Sequence, residues 1–378
     1  MPNFEIGISE KSFKTTKMHK KNTYASGTGM RRQFALAVLI FLLGLLTASC
    51  AESPKQPPEK PPQPLKESRA TFLAVGDIML SRGVARTIDA ARDPLVPFSG
   101  LKDLFNSTDF NFANLESPVS GNDNRVGRGL VFNARRADIE GLVKYNFKVV
   151  NLANNHALDQ GLNGLNYTQQ FLAEKGIEYL GVGPNKADAW KPKYLTVKGI
   201  KIGFIGVSYA SINDNGASTN DYVARIEEVD RLRASIKQAK SESDYVLVTM
   251  HAGTEYVRNP NQAQIDFARS AVDAGADIVI GAHPHWIQTF EKYKDKYIFY
   301  SLGNFIFDQM PQDRREGLAL HITLLKSEGG GREKPETRGE KIEMIPVIIE
   351  RMGVPRRANE AEARAIMKKF GATEAVLK

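Results

Sequence analysis

The sequence predicts a mixed α/β protein whose functional residues collect along one rim of a sheet. Three observations carry that expectation. Short apolar runs alternate with stretches of helical period, each apolar run ends on a small polar cluster, and four of the six histidines fall in those clusters. Strands alternating with helices give a largely parallel sheet covered on its faces, and ligands gather beyond the carboxyl ends of such strands. The chain has 378 residues, 42% hydrophobic and 25% charged, which suits one large domain or two ordinary ones and excludes a disordered chain or a rod. A single cysteine excludes a disulfide scaffold and a cysteine-based zinc or iron–sulfur site.

The amino-terminal part reads as a leader. Met30-Arg31-Arg32 precedes 16 uncharged, mostly apolar residues from Phe34 to Ser49, and then comes Cys50. A basic start, an apolar run and small residues before a cleavage point describe a secretory signal. With the only cysteine directly after Thr47-Ala48-Ser49, the segment resembles a bacterial lipoprotein signal, in which the thiol is lipidated; Thr47 stands where Leu is favoured. An uncleaved membrane anchor is the rival, although 16 residues are short for a bilayer crossing. Residues 1–29 are polar and aperiodic and read as an over-extended start before the signal at 30–49. Residues 50–68 hold six prolines in the run from Ala51 to Leu65 and read as an extended tether. The folded body is expected over 69–378, in an extracytoplasmic, membrane-anchored protein of the cell envelope.

The net charge of +8 raises nucleic acid as a partner, but its location argues otherwise. Residues 1–49 carry seven Lys or Arg against Glu5 and Glu10, so the remainder is only +3. No nucleic-acid partner is expected.

Within the body, the strand ends come in order. Thr71 to Val75 precedes Gly76-Asp77, and Phe110 to Phe112 precedes Asn114-Leu115-Glu116. Phe147 to Leu152 precedes Asn154-Asn155-His156 and Asp159. Tyr245 to Thr249 precedes His251, Asp277 to Ile280 precedes His283-Pro284-His285, and Tyr297 to Leu302 precedes Gly303-Asn304. Helical period runs through 137–145, 162–174, 223–239, 262–274 and 360–370. Tyr194 to Val207, broken by Lys198-Gly199, reads as a β-hairpin. Further strands at 317–325 and 342–349 flank a glycine-rich loop, and antiparallel strands beside a parallel core suggest a second sheet.

Singly, each polar residue has an ordinary reading: Asp77 a turn residue, Asp159 a helix cap, the asparagines turn formers, His251 a hydrogen-bonded structural group. Together at six strand ends they are better read as a site. Histidine, carboxylate and amide oxygen are the ligand mix for divalent zinc, manganese or iron.

The blocks Gly76-Asp77-Ile-Met-Leu-Ser-Arg82, Asn114-Leu-Glu-Ser-Pro118, Leu152-Ala-Asn-Asn-His-Ala-Leu-Asp-Gln-Gly161, Gly281-Ala-His-Pro-His285 and Tyr300-Ser-Leu-Gly-Asn-Phe305 carry a resemblance. From about Thr71 to Asp308 the chain resembles the CapA family of poly-γ-glutamate capsule biosynthesis proteins, within the calcineurin-like metallophosphoesterase superfamily. The resemblance implies a four-layer αββα sandwich with the site at the carboxyl ends of the strands. It implies one or two divalent cations (manganese, iron or zinc), one held by Asp77 and His285, a second by Asn155, His251 and His283, with Glu116 bridging. His156, polarised by Asp159, would be the catalytic residue facing the leaving oxygen. Arg82, Asn114 and Asn304 would contact an anionic polymer or phosphoester substrate, with polymer synthase subunits as partners. Three departures are visible, one being Glu116 where the superfamily's bridging residue is an aspartate, one methylene shorter. The superfamily has Asp-x-His where this chain reads Asp77-Ile78-Met79, and a thioether is a poor ligand for hard cations. Family relatives often carry Trp where this chain has Ala252, and the exchange is expected to remove a ring that stacks on substrate.

Overall fold

Two-residue alternation within the apolar runs decides the layering, because successive side chains of a strand face opposite sides. The computed structural model describes residues 4–6, 67–124, 129–209, 221–327 and 337–369. A first sheet contains β1 (Phe4–Ile6), β2 (Glu67–Ile78), β3 (Phe110–Leu115), β4 (Phe147–Asn151) and β5 (Glu178–Leu180). The second takes β6 (Lys193–Val197), β7 (Ile200–Ser208), β8 (Tyr245–His251), β9 (Ile278–Ala282), β10 (Phe290–Tyr293) and β11 (Lys296–Phe299). The chain then returns to the first sheet as β12 (Asn304–Ile306), β13 (Glu316–Ser327), β14 (Thr337–Arg351) and β15 (Val354–Arg357).

Phe72 and Ala74 of β2, Phe110 and Phe112 of β3, Phe204 of β7, Leu247 of β8 and Ile280 of β9 share one core between the sheets. The alternate residues Leu73, Val75 and Ala113 join a second core on the outer side of the first sheet. There α1 (Arg82–Ala91), α2 (Lys102–Phe105), α3 (Glu140–Lys144) and α4 (Gly161–Glu174) contribute Val84, Phe105, Leu142 and Leu172. Val246, Val248 and Val279 join a third core with α5 (Lys186–Ala189), α6 (Val229–Glu242) and α7 (Gln262–Ala274). Finally α8 (Glu360–Lys369) adds Ile366 and Met367 to the inter-sheet core. Helix, sheet, sheet and helix thus stack as the αββα sandwich that the resemblance implied.

Local chemistry explains several boundaries. The Lys198-Gly199 turn has φ of 48° and 84°, so both central residues are left-handed, as the two-residue hairpin joining β6 to β7 requires. Asn261 and Gln264 close a reciprocal capping box at the start of α7, and Gly275 ends it at φ 118°.

The second sheet differs from the expectation. It is itself mainly parallel through β7, β8, β9 and β11, with β6 and β10 as antiparallel edges, whereas the antiparallel β13 and β14 extend the first sheet. Helical period from 223 onward was misleading: α6 starts only at Val229. Val223 bridges Val182 and Arg225 bridges Ser208, and these extended residues are buried beside strand ends. Residues 4–6 pair with Ile342–Met344, although no strand was read in the amino-terminal stretch. The remainder of that stretch, the signal, Cys50 and the tether up to residue 66 lie outside the described residues.

One segment ties the sheets together. After β11 the chain crosses from the second sheet to the first through Tyr300–Gly303. Leu302 N donates to Gly281 O of β9 (3.1 Å), while Gly303 O accepts from Asp77 N of β2 (3.1 Å). The crossing passes so close that a Cβ on Gly76 would lie 1.9 Å from Gly303 O, and one on Gly281 would lie 1.9 Å from Tyr300 O. Both obstacles are backbone and cannot swing aside. Gly281→Ala is therefore expected to cost about 3 kcal/mol or more, the upper end of overpacking penalties. Urea unfolding checks this, and a midpoint equal to wild type would contradict so tight a crossing.

Candidate metal centre

Every cluster read at a strand end arrives at the same place. Asp77 lies in the last turn of β2, Asn114 near the end of β3 with Glu116 just past it, and His251 ends β8. Asn155 and His156 follow β4, His283 and His285 follow β9, and Asn304 opens β12. Both sheets therefore aim their carboxyl ends at one buried volume. His283 and His285 take φ of 99° and 57°, left-handed conformations that a non-glycine residue adopts at a cost and that occur where the surroundings fix the chain for function.

Three donor atoms converge tightly. Asn155 Oδ1 is 2.7 Å from His251 Nε2, and His283 Nδ1 is 3.1 Å from the same nitrogen. Donors bound about 2.1 Å from a shared cation lie roughly 3 Å apart, so this spacing suits one ion. Beside them is a second group. His251 Nδ1 is 3.8 Å from Asp77 Oδ1, and His285 Nδ1 is 3.7 Å from Asp77 Oδ2. Glu116 Oε1 faces His285 Nε2 at 3.9 Å and His156 Nε2 at 3.6 Å. Ligand atoms of Asp77, Glu116 and His251 lie within 4.8 Å of one another.

Electrostatically the centre lacks positive charge. Glu116 is 0% exposed and neither carboxylate oxygen has a hydrogen-bond partner. Burial, followed by the charge of Asp77, pushes its carboxyl well above the usual range. Burial likewise raises Asp77 to about 7, against the opposing bonds from His283 N and Asn114. Burial drives His251 and His283 well below the ordinary imidazole value and His285 down to about 3, with neighbouring histidines adding to the effect for the first two. Neutral imidazole lone pairs beside the unpartnered Glu116 carboxyl form a set of donors that a divalent cation satisfies.

Surrounding residues hold these groups in place. Asn114 Nδ2 donates to Asp77 Oδ1 (2.8 Å) and lies 3.1 Å from His251 Nδ1, while its Oδ1 accepts from Asn151 (3.0 Å). Asn304 Oδ1 is 2.9 Å from His285 Nδ1, and its Nδ2 donates to Arg314 O (2.8 Å). Both amides, expected to meet substrate, are buried and engaged by the centre itself. His156 Nδ1 lies 2.7 Å from Asp159 Oδ2, which also accepts from Phe132 N, and the Phe132 ring stacks on the imidazole at 3.8 Å. Arg82 is close by, with Nη2 on Asp308 Oδ1 (2.5 Å), Nη1 on Gly129 O (3.0 Å) and its guanidinium 4.6 Å from the Phe132 ring.

The departures also find their places. Met79 is fully buried, and its Sδ accepts from Ser81 N at 3.1 Å, so the thioether is spent on the turn after β2. Ala252 is buried in the core beneath α7 and not at the centre, which corrects the expectation that a ring there would meet substrate. Phe132 and Tyr209, whose ring centroid is 4.6 Å from that of His283, were missed because they carry no ligand-type chemistry, and Asn151 because it lies inside the apolar run of β4.

A four-layer sandwich with imidazole, amide and carboxylate donors gathered at the strand ends defines a protein built around a buried polar centre of metal-ligating residue types. Residues 71–309 match the family described as bacterial capsule synthesis protein PGA_cap, and the chain belongs to that family. It is 32% identical over 333 residues to the PGA biosynthesis protein CapA of Bacillus subtilis (87% of this chain, 84% of the relative). To the capsule biosynthesis protein CapA of Bacillus anthracis it is 29% identical over 304 residues (78% and 74%). Among solved structures it is similar to the calcineurin-like phosphoesterase YfkN of Bacillus subtilis (TM-score 0.42, 14% identity, 82% of this chain and 98% of that one).

Protonated carboxyls compete with cations. Below about pH 7 Asp77 holds a proton that a cation must displace, and burial raises the Glu116 carboxyl in the same direction, whereas the histidines that burial holds neutral release none. Manganese binding at pH 6.5 is therefore expected to liberate about one proton or more and to weaken as pH falls. Calorimetry in two buffers of different ionisation enthalpy reads this, and binding without proton release would contradict the assignment.

Proposed function

We propose that this family member is an extracytoplasmic, membrane-tethered hydrolase that acts in the synthesis or export of an anionic envelope polymer. The observation that carries the reading is Glu116, a carboxylate with both oxygens buried and unpartnered between His156, His285 and Asp77. Such a group costs several kcal/mol unless a cation neutralises it. Asn155, His251 and His283 would hold one divalent cation, and Asp77 and His285, with Glu116 shared, a second. Cations bound there supply charge neutralisation and polarise a phosphoester or amide oxygen.

The chain's own residues supply the rest. Asp159 accepts a hydrogen bond from His156 Nδ1–H and fixes the ring with Nε2 facing the centre, so that the imidazolium form, with a proton on both nitrogens, would pass its Nε2 proton to the departing oxygen and return to the neutral ring. Phe132 covers the imidazole face and shields that proton from bulk water. The names of the capsule relatives and the leader ending at Cys50 support an envelope role. The lipid on Cys50 would provide the tether, and the proline-rich residues up to 66 the spacer, since β2 begins at Glu67.

A second reading has its own observation. With Met79 turned into its local bond, one ligand position of the wider superfamily is unfilled, which favours a cation- or anion-binding accessory subunit of a polymer synthase. A general secreted phosphodiesterase or nucleotidase would instead turn over simple phosphoesters without affecting envelope polymer.

Three measurements separate these. Purified protein is expected to hold at least about one divalent ion per chain, and His283→Ala to lose it. His156→Ala is expected to retain the ion while losing about 10²–10⁴-fold in turnover; full polymer production by that variant would favour the accessory reading. Cys50→Ala is expected to move the protein from the detergent phase to the aqueous phase, and unchanged partitioning would remove the lipid anchor.

A further inference from the structure

A cleft of about 420 Å³ opens beside the centre, lined by Arg82, Arg86, Leu130, Tyr256, Asp308 and Arg314 among others. That volume suits one small polar group or a short stretch of a chain. Its arginines come from separate elements, α1 and the loop before β13.

The cleft is connected to the centre by rings and by hydrogen bonds. The Arg314 guanidinium lies 3.6 Å from the Tyr256 ring centroid, and that ring stacks towards His285 at 6.0 Å. Arg82 lies over Phe132 and Phe307, of which the first covers His156 and the second packs 4.8 Å from His285. Asn304 bonds His285 with one end, and with the other donates to Gln309 Oε1 (3.3 Å) and Arg314 O; Gln309 in turn donates to Tyr256 Oη (3.2 Å). The cleft groups are thus held in register with a metal-ligating histidine.

Charge decides what the cleft takes. Asp308 pairs with Arg82 and accepts from Gly83 N (2.9 Å), so Arg82 is neutralised within the fold and serves as a wall. Arg314 has no carboxylate within 4 Å among the described residues, and stacking on Tyr256 fixes its plane while leaving the in-plane donors for a ligand. A planar fork held in that way recognises carboxylate or phosphate oxygens pairwise. Leu130, 66% exposed at the rim, offers an apolar surface to the methylene part of an anionic chain.

We propose that this cleft is an oxyanion subsite, with Arg314 as its principal contact and Arg86 as a second, which binds a carboxylate or phosphate group of the substrate next to the group acted on at the centre. The proposal rests on the hydrolase reading for what is bound, but not for whether an anion binds. Subsite binding selects a substrate bearing at least two anionic groups, so a polyanion is favoured over a lone phosphoester.

Calorimetry at low salt on the purified full chain tests it, with a γ-linked tetraglutamate as the carboxylate probe and O-phosphoserine as the phosphate probe. Arg314→Gln is expected to weaken at least one probe about tenfold or more, with cation content and thermal midpoint unchanged. Arg86→Gln, on the exposed side of α1, is expected to have a smaller effect in the same direction, and the arm that responds identifies the anion class. Unchanged affinity for both probes in both variants would overturn the subsite, whatever the cation content. A tenfold loss in a protein that holds no cation would support the subsite while removing the hydrolase reading.

Discussion

A fully buried carboxylate with no hydrogen-bond donor on either oxygen is the constraint that organises this molecule. Glu116 is shut in by the ends of both sheets, with the imidazoles of His156 and His285 on two sides and a second buried carboxyl close by. Apolar packing alone cannot stabilise such a group in its charged form, so it is held either protonated or beside a positive charge. The remaining geometry follows. Asn114 and Asn304 brace the donors from opposite sides, the rings of Phe132, Tyr209 and Phe307 close the faces of three histidines, and the left-handed backbone at His283 and His285 aims the imidazoles inward.

Much of this could be read from the chain, because strand ends and ligand chemistry are both local signals. A histidine, amide or carboxylate directly after a β-branched run identifies a strand-end group whatever the sheet order, and all the metal-ligating residue types named on that basis meet in one volume. Sheet membership was less legible. The alternation in β13 and β14 fixes which face is buried but not which sheet they join, and 223–228 carries helical spacing although its backbone bonds are made to neighbouring strands. Roles within the site were also partly hidden. An asparagine that braces a ligand and one that contacts substrate look alike until partners are visible, and Arg314, Gln309 and Asp308 come from a loop without pattern.

Family membership and geometry support each other at different levels. The family match covers every ligand-type residue of the centre, since it runs from 71 to 309, while Arg314 lies just beyond it. A core of ligand-type residues at strand ends and a rim contributed by later loops is the division expected when a sandwich supplies rigidity and connections supply selectivity. Burial accounts for the titration behaviour of the centre, and exposure accounts for the charge of the cleft.

The crossing from β11 to β12 has a mechanical consequence. Because Leu302 is bonded to β9 and Gly303 to β2 within two residues, the leaves of the sandwich are riveted at the same height as the polar centre. Shear between them would tear those bonds and displace His285 through Asn304. Opening of the centre is therefore left to the connections above it, since the crossing fixes the two leaves against each other at this height.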